Sequence, residues 1–196
     1  MKVGLFGGSF DPIHIGHLII ANFALNEFAL DKVIFIPAST SPFKNDYLFT
    51  PIDRLEMVKI AIRDNDKFEV SDFEVKNGGI SYTIRTVEYF KKVYRIFLIV
   101  GQDSAESLHC WKESFEILRN VEVLVYRRII DGIVKDFKVP EVLVEYANKF
   151  HIINSPYIDV SSTLVRELLN SGKSVRYLVP DGVLEYIKRI GINVVF

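Results

Sequence analysis

The sequence predicts an α/β protein built on a parallel sheet with helices on both faces. Three observations carry that expectation. Short apolar runs ended by glycine or proline recur along the chain: Val3–Phe6 before Gly7-Gly8, Val33–Ile36 before Pro37, and Arg95–Val100 before Gly101. Such runs, apolar at successive positions, suit strands covered on two sides. Stretches with helical periodicity separate them, and strand–helix alternation along nearly the whole chain is the pattern of a doubly wound, Rossmann-like sheet. Its 196 residues are enough for one domain with a substantial core, so residues 1–196 are read as a single unit whose last part, from 157 to 196, is helical.

The elements follow in order. After Val3–Phe6, a helix is expected from Gly16 to Leu30, with Leu18, Ala21, Leu25 and Phe28 near one face. Val33–Ile36 leads into a polar loop from Ala38 to Thr50. Thr50-Pro51 is an N-cap followed by a first helical residue, opening a helix that carries Leu55, Val58 and Ile62. Phe68–Val75 alternates like a strand with one wet side, Asn77-Gly78-Gly79 is a turn, and Ser81–Val93 is helical. Arg95–Val100 is a buried strand. A helix is expected from Trp111 to Leu118, a strand at Val121–Tyr126, a helix at Glu141–Asn148 and a short strand at His151–Ile153. Ile129–Val139 carries no clear pattern. Thr163–Asn170 is a helix closed by Gly172, and Pro180 opens a last helix ending at Gly191.

Composition narrows the function classes. With 49% hydrophobic and 25% charged residues the chain is globular, and a net charge of −1 offers no general basic field for nucleic acid. Anionic ligands would therefore need local devices. No apolar run approaches the roughly 20 residues of a membrane span. The single cysteine, Cys110, fits a reducing compartment and is read as a buried or spectator thiol, so a cytoplasmic location is expected. The glycine pair does not extend to G-x-G-x-x-G, which argues against an ordinary NAD-binding dehydrogenase.

The loop after the first strand reads Gly7-Gly8-Ser9-Phe10-Asp11-Pro12-Ile13-His14-Ile15-Gly16-His17. Gly7 and Gly8 permit close approach of backbone to a ligand, and Pro12 stiffens the turn. His14 and His17, three residues apart at a helix start, share a face, with Gly16 leaving room between them. The helix N-terminus adds unpaired N–H groups and partial positive charge. Two histidines capping or packing in a helical turn is the plain alternative, but the strand–turn–helix context favours a phosphate site.

This segment resembles the H-x-G-H signature of the nucleotidyltransferase superfamily, and the eleven-residue string is similar to its nicotinate mononucleotide adenylyltransferase branch. Ser9 stands where many members have threonine, which keeps a hydroxyl. Further similarities run along the chain. Ser41-Pro42-Phe43-Lys44 resembles a P-P-H-K loop, with Phe43 replacing histidine and given no chemical role. Ser81-Tyr82-Thr83 resembles S-Y-T, and Gly101-Gln102-Asp103-Ser104 resembles G-x-D-S, with Trp111 at the expected distance after it. Ser161-Ser162-Thr163-Leu164-Val165-Arg166 resembles the carboxyl-terminal I-S-S-T-x-x-R motif.

The resemblance implies transfer of the adenylyl group of ATP to nicotinate mononucleotide, with release of pyrophosphate. It implies that His14, His17, Lys44 and Arg166 are catalytic. ATP would meet Gly7, Gly8, Ser9, Phe10, His14, Gly16, His17, Gly101, Asp103, Ser161, Ser162, Thr163 and Arg166; the mononucleotide would meet Ser9, Lys44, Tyr82, Thr83 and Trp111. Asp103 can take both ribose hydroxyls or cap a helix, and Arg166 can grip phosphate with two parallel bonds. Trp111 would stack on the pyridine ring while backbone amides meet its carboxylate. Mg²⁺ would arrive with ATP, with no dedicated metal site. Arg54, Arg127 and Arg128 are read as surface or packing groups, and His109 and His151 as structural. Nicotinamide mononucleotide or phosphopantetheine as acceptor, a non-catalytic nucleotide sensor, and a homo-oligomer stay open at this point.

Overall fold

The computed structural model describes residues 1–44, 46–127, 129–130, 133–134 and 136–192. Its elements are, in order, β1 (Lys2–Gly8), α1 (Ile15–Glu27), β2 (Lys32–Pro37), α2 (Pro51–Ile62), β3 (Phe68–Val70), α3 (Phe73–Asn77), α4 (Thr83–Phe90), β4 (Arg95–Gly101) and α5 (Gln102–Glu106). A 3₁₀ turn (Leu108–Cys110), α6 (Ser114–Asn120), β5 (Val121–Tyr126), the short strands β6 (Ile129–Ile130) and β7 (Ile133–Val134), and a 3₁₀ segment (Glu141–Lys149) follow. The last elements are β8 (Phe150–Ile153), α7 (Ser162–Asn170) and α8 (Asp181–Arg189).

Six strands form one sheet in the order β3-β2-β1-β4-β5-β8, and every pairing is parallel. The chain builds outward from β1 through β2 to β3, then crosses back to lay β4 on the other side of β1. Strand order therefore reverses between β1 and β4, the place where such sheets hold ligands at their carboxyl ends.

The period-two alternation of the strands divides the core in two. Phe6, Phe35, Phe97, Ile99, Leu124 and Tyr126 point to the face covered by α1, α2, α7 and α8. Leu5, Ile34, Ile36, Leu98, Val100 and Val123 point to the face covered by α4, α5 and α6. The carboxyl-terminal helices thus share their core with α1 and α2, through Val165, Leu169, Val183, Leu184 and Ile187. Where α8 crosses α2, a Cβ on Gly182 would lie 2.7 Å from Ile60.

Several expected helix ends are realised. Thr50 caps α2 in a reciprocal box with Asp53, with Pro51 as first helical residue. Gly172 takes φ 63° after α7, its N–H on the Leu169 carbonyl.

Other expectations are corrected. The strand expected over Phe68–Val75 stops at Val70, because β2 offers it partners only from Val33 to Phe35. The Ser71 hydroxyl then accepts the Phe73 N–H, and Lys76 N–H bonds the Asp72 carbonyl, which turns the chain into α3. The helix expected over Trp111–Leu118 begins at Ser114, since Trp111 is extended and Glu113 sits at φ 56° in the left-handed region. The helix expected over Ser81–Val93 is Thr83–Phe90. The one expected at Glu141–Asn148 is a 3₁₀ segment. Part of the unpatterned Ile129–Val139 stretch and Arg128 lie outside the described residues. Among those described, no helix is long and apolar enough to cross a membrane.

Candidate active site

A cleft of about 980 Å³ opens over the carboxyl ends of β1 and β4. Its floor is the β1–α1 loop. A Cβ on Gly7 would meet nothing within 4 Å, so this backbone is bare to the cleft, whereas one on Gly8 would press on the Phe10 ring at 3.3 Å. Phe10 itself is buried, packed edge-on against Phe6 and His17 with ring centroids 5.7 and 5.0 Å apart. It serves as a support beneath the histidines.

His14 precedes the first turn of α1 and His17 lies within it. Their rings are 3.7 Å apart and tilted by 33°, and the His14 backbone N–H donates to His17 Nδ1 at 3.2 Å. Accepting at Nδ1 assigns the proton of a neutral His17 ring to Nε2, leaving that nitrogen as a donor. Gly16 is not on the cleft wall. It backs the His14 ring, where a Cβ would lie 3.0 Å from two ring atoms. Gly16 also lines a small adjoining hollow with both histidines, Ile158 and Val160.

Two cations reach this floor from distant segments. Lys44, in the β2–α2 loop, donates to Asp11 Oδ2 at 3.1 Å. Arg166, one turn into α7, donates to the Asp11 carbonyl at 2.9 Å and stands 3.6 Å from Asp11 Oδ2. Asp11 is fully buried, and its carboxylate also accepts the Leu48 and Phe49 N–H groups. Ser161 caps α7 by accepting from Leu164 N–H, while the Ser162 hydroxyl bonds the Pro12 carbonyl at 2.9 Å. The start of α7 is thereby fixed over the β1–α1 loop, with Thr163 bonded to Arg166.

The opposite wall is Gly101 and Asp103. Gly101 takes the N-cap position of α5, so Asp103 is not the cap; it lies in the first turn and lines the cleft. At the far end Tyr82 and Thr83 open α4, held to the β2–α2 loop by Ser81 N–H on the Thr40 carbonyl. Trp111 faces them, half-buried, with Phe43 6.5 Å away. Every sequence-derived candidate except Gly16 therefore lines one cleft.

Sequence reasoning assigned no role to Asp11, although it lies within the β1–α1 loop; nothing local reveals that Lys44 and Arg166 lie 33 and 155 residues away. Arg54 is a packing group, as expected, but of an unusual kind. It is fully buried and donates to the carbonyls of Phe49, Ser9 and Ser39, with its guanidinium stacked 4.6 Å from the Tyr47 ring. It ties the β1–α1 and β2–α2 loops together. Burial pulls its pKa below the ordinary guanidinium value. Cys110, expected to be a buried or spectator thiol, is exposed at the cleft. His151 pairs with Glu122 at 3.0 Å.

The fold and site define a nucleotidyltransferase-type α/β protein. A cytidylyltransferase-like family model matches residues 5–168. A Caldicellulosiruptor bescii protein named as a probable nicotinate-nucleotide adenylyltransferase is 42% identical over 98% of both chains. A Clostridium tetani protein of the same name is 38% identical over 97% of this chain and 98% of its own. The fold is shared with a Plasmodium falciparum nicotinic acid mononucleotide adenylyltransferase solved with NaAD, at TM-score 0.76, 19% identity and coverage of 98% and 97%. The chain belongs to the cytidylyltransferase-like family and, within it, to the nicotinate-nucleotide adenylyltransferases.

Proposed function

We propose that the chain transfers the adenylyl group of ATP to the phosphate of nicotinate mononucleotide, giving nicotinate adenine dinucleotide and pyrophosphate. One observation carries the reading: His14, His17, Lys44 and Arg166 converge on the floor of a single cleft at the sheet's switch point, while Tyr82, Thr83 and Trp111 line its far end. The relatives named above, 42% and 38% identical over nearly the full chain, support the choice of acceptor.

The acceptor phosphate is already an anion near neutral pH, so no protein nucleophile is required. Its oxygen attacks the α-phosphorus in line, the bond to the bridging oxygen breaks, and that oxygen leaves with the β- and γ-phosphates. Catalysis then consists of alignment and neutralisation of charge moving onto the leaving group. His17 Nε2–H supplies a neutral donor to the triphosphate beside His14. Lys44 and Arg166 supply fixed positive charge, the latter in the forked geometry that fits phosphate. Gly7, Gly8 and Ser9 would pass backbone close to the nucleotide, with Gly101 and Asp103 on the ribose and Ser161, Ser162 and Thr163 presenting the α7 N-terminus to phosphate.

The donor set at the floor is cationic, and among the described residues no three His, Cys, Asp or Glu side chains converge as metal ligands. Magnesium is read as part of the ATP substrate, carried by phosphate oxygens and water. The reaction fits a cytoplasmic setting, consistent with the chain's single free cysteine.

The direct test is pyrophosphate release with ATP and, separately, nicotinate mononucleotide, nicotinamide mononucleotide and phosphopantetheine. Turnover highest with the nicotinate compound supports the reading; silence with all three leaves a nucleotide sensor in its place.

A further inference from the structure

Glu74 lies on α3 and lines the same cleft, yet none of the chemistry above uses it. Its carboxyl group is the meeting point of two hydroxyls. Thr86, buried on the second turn of α4, donates to Glu74 Oε1 in a short hydrogen bond. The Ser81 hydroxyl, just before α4, lies near enough to the same carboxyl group to favour its charged form. The Ser81 oxygen also accepts the Ser39 backbone N–H at 2.9 Å. With that acceptor role filled from the β2–α2 loop, the single Ser81 proton is available to the Glu74 carboxyl group.

The two donors bracket Tyr82 and Thr83. One carboxyl group thus steadies the residues on either side of Tyr82 and Thr83, which open α4 and line the cleft. Burial raises the Glu74 pKa above its ordinary value, against the opposing effect of the two hydroxyls, so the protonated form persists to higher pH than in water. Among the described residues, Glu74 has no hydrogen bond to β1, β4 or the start of α7, which build the nucleotide half of the cleft.

We propose that Glu74 is a positioning residue for the acceptor end of the cleft: through Ser81 and Thr86 it sets the Tyr82–Thr83 amides that receive the acid group of the mononucleotide. The proposal rests on the acceptor reading above. It predicts a selective defect, because removing this support loosens one end of the cleft only.

Trp111 is the sole tryptophan of the chain and lines that end, so its fluorescence reports acceptor binding without turnover. The experiment titrates wild type, Glu74→Ala, Glu74→Gln and the pair Thr86→Val and Thr86→Ser with nicotinate mononucleotide. Calorimetry measures a non-hydrolysable ATP analogue on the same proteins. Glu74→Ala and Thr86→Val should weaken mononucleotide binding roughly tenfold, about one well-placed hydrogen bond, with ATP-analogue affinity within about twofold of wild type. Glu74→Gln, which keeps an acceptor oxygen, and Thr86→Ser, which keeps the hydroxyl, should recover most of the loss. Equal weakening of both ligands, or undiminished mononucleotide binding in Glu74→Ala and Thr86→Val, overturns the proposal. If Glu74→Ala does not fold, the threonine pair decides alone. Wild-type protein that binds ATP but not the mononucleotide would instead refute the acceptor reading on which this rests.

Discussion

Asp11 Oδ2 accepts a hydrogen bond from Lys44 Nζ at 3.1 Å, and that carboxylate, fully buried, also stands 3.6 Å from Arg166. One anion therefore holds two cations from opposite ends of the chain at the floor of the cleft, offsetting the repulsion they would otherwise feel in an empty site. Removing one partner of a buried ionic cluster commonly costs about 3–5 kcal/mol. For Asp11→Asn, which keeps the shape and one acceptor, a loss of roughly 2–3 kcal/mol is expected. The kcat should fall with it, because Lys44 and Arg166 lose their common anchor. Calorimetric unfolding and steady-state kinetics check both; wild-type values in each would show that the cations are placed without it.

Arg54 offers a second, purely structural prediction. Arg54→Met strips donors from the carbonyls of Ser9, Ser39 and Phe49 at once. Each orphaned buried carbonyl costs on the order of 1 kcal/mol or more, so about 3 kcal/mol of stability should go. In a chain of this size that lowers Tm by roughly 6–12 °C. Arg54→Lys should rescue little, since an ammonium cannot reproduce the planar fork that spans two loops.

His17→Ala should lower kcat by about 10²–10³ while changing the KM for ATP far less, as expected for a donor whose bond tightens as charge builds on the leaving group. Steady-state measurement with each substrate saturating separates the two constants. Loss confined to KM would assign His17 to ground-state binding instead.

The pH dependence of stability follows from Glu74. Its pKa is raised by burial above the ordinary 4.5, so the folded chain holds that proton more tightly than the unfolded chain does. Between pH 4.5 and the raised folded value, the native state carries more protons, and stability declines as pH rises. The contribution is fully present below pH 4.5 and is lost as pH climbs through the folded pKa. Glu74→Gln fixes a neutral side chain there. Its Tm relative to wild type should therefore improve as pH rises from 4.5 through the raised folded value; a gap that does not change with pH contradicts the assignment.

Much of this could be read from the chain because parallel strands buried on both faces leave unbroken apolar runs, such as Ile96–Val100 beside Val3–Phe6. The β1–α1 turn was legible for a related reason: its glycines and histidines are close in sequence, so spacing alone places them. What escaped depends on long-range contacts. Phe68–Val75 alternates like a strand, yet its length was set by β2, which pairs with only three of its residues. Asp11, Arg54 and Glu74 look like ordinary surface charges until Lys44, Ser9 and Thr86 are brought to them by folding.

The central claim is that the paired imidazoles of His14 and His17 receive the triphosphate. A crystal structure with a non-hydrolysable ATP analogue tests it most directly. The account predicts phosphate oxygens within about 3.5 Å of His17 Nε2, of the Lys44 ammonium and of the Arg166 guanidinium. A triphosphate bound elsewhere, with Lys44 and Arg166 still engaged on Asp11 and both imidazoles turned to packing, would contradict it.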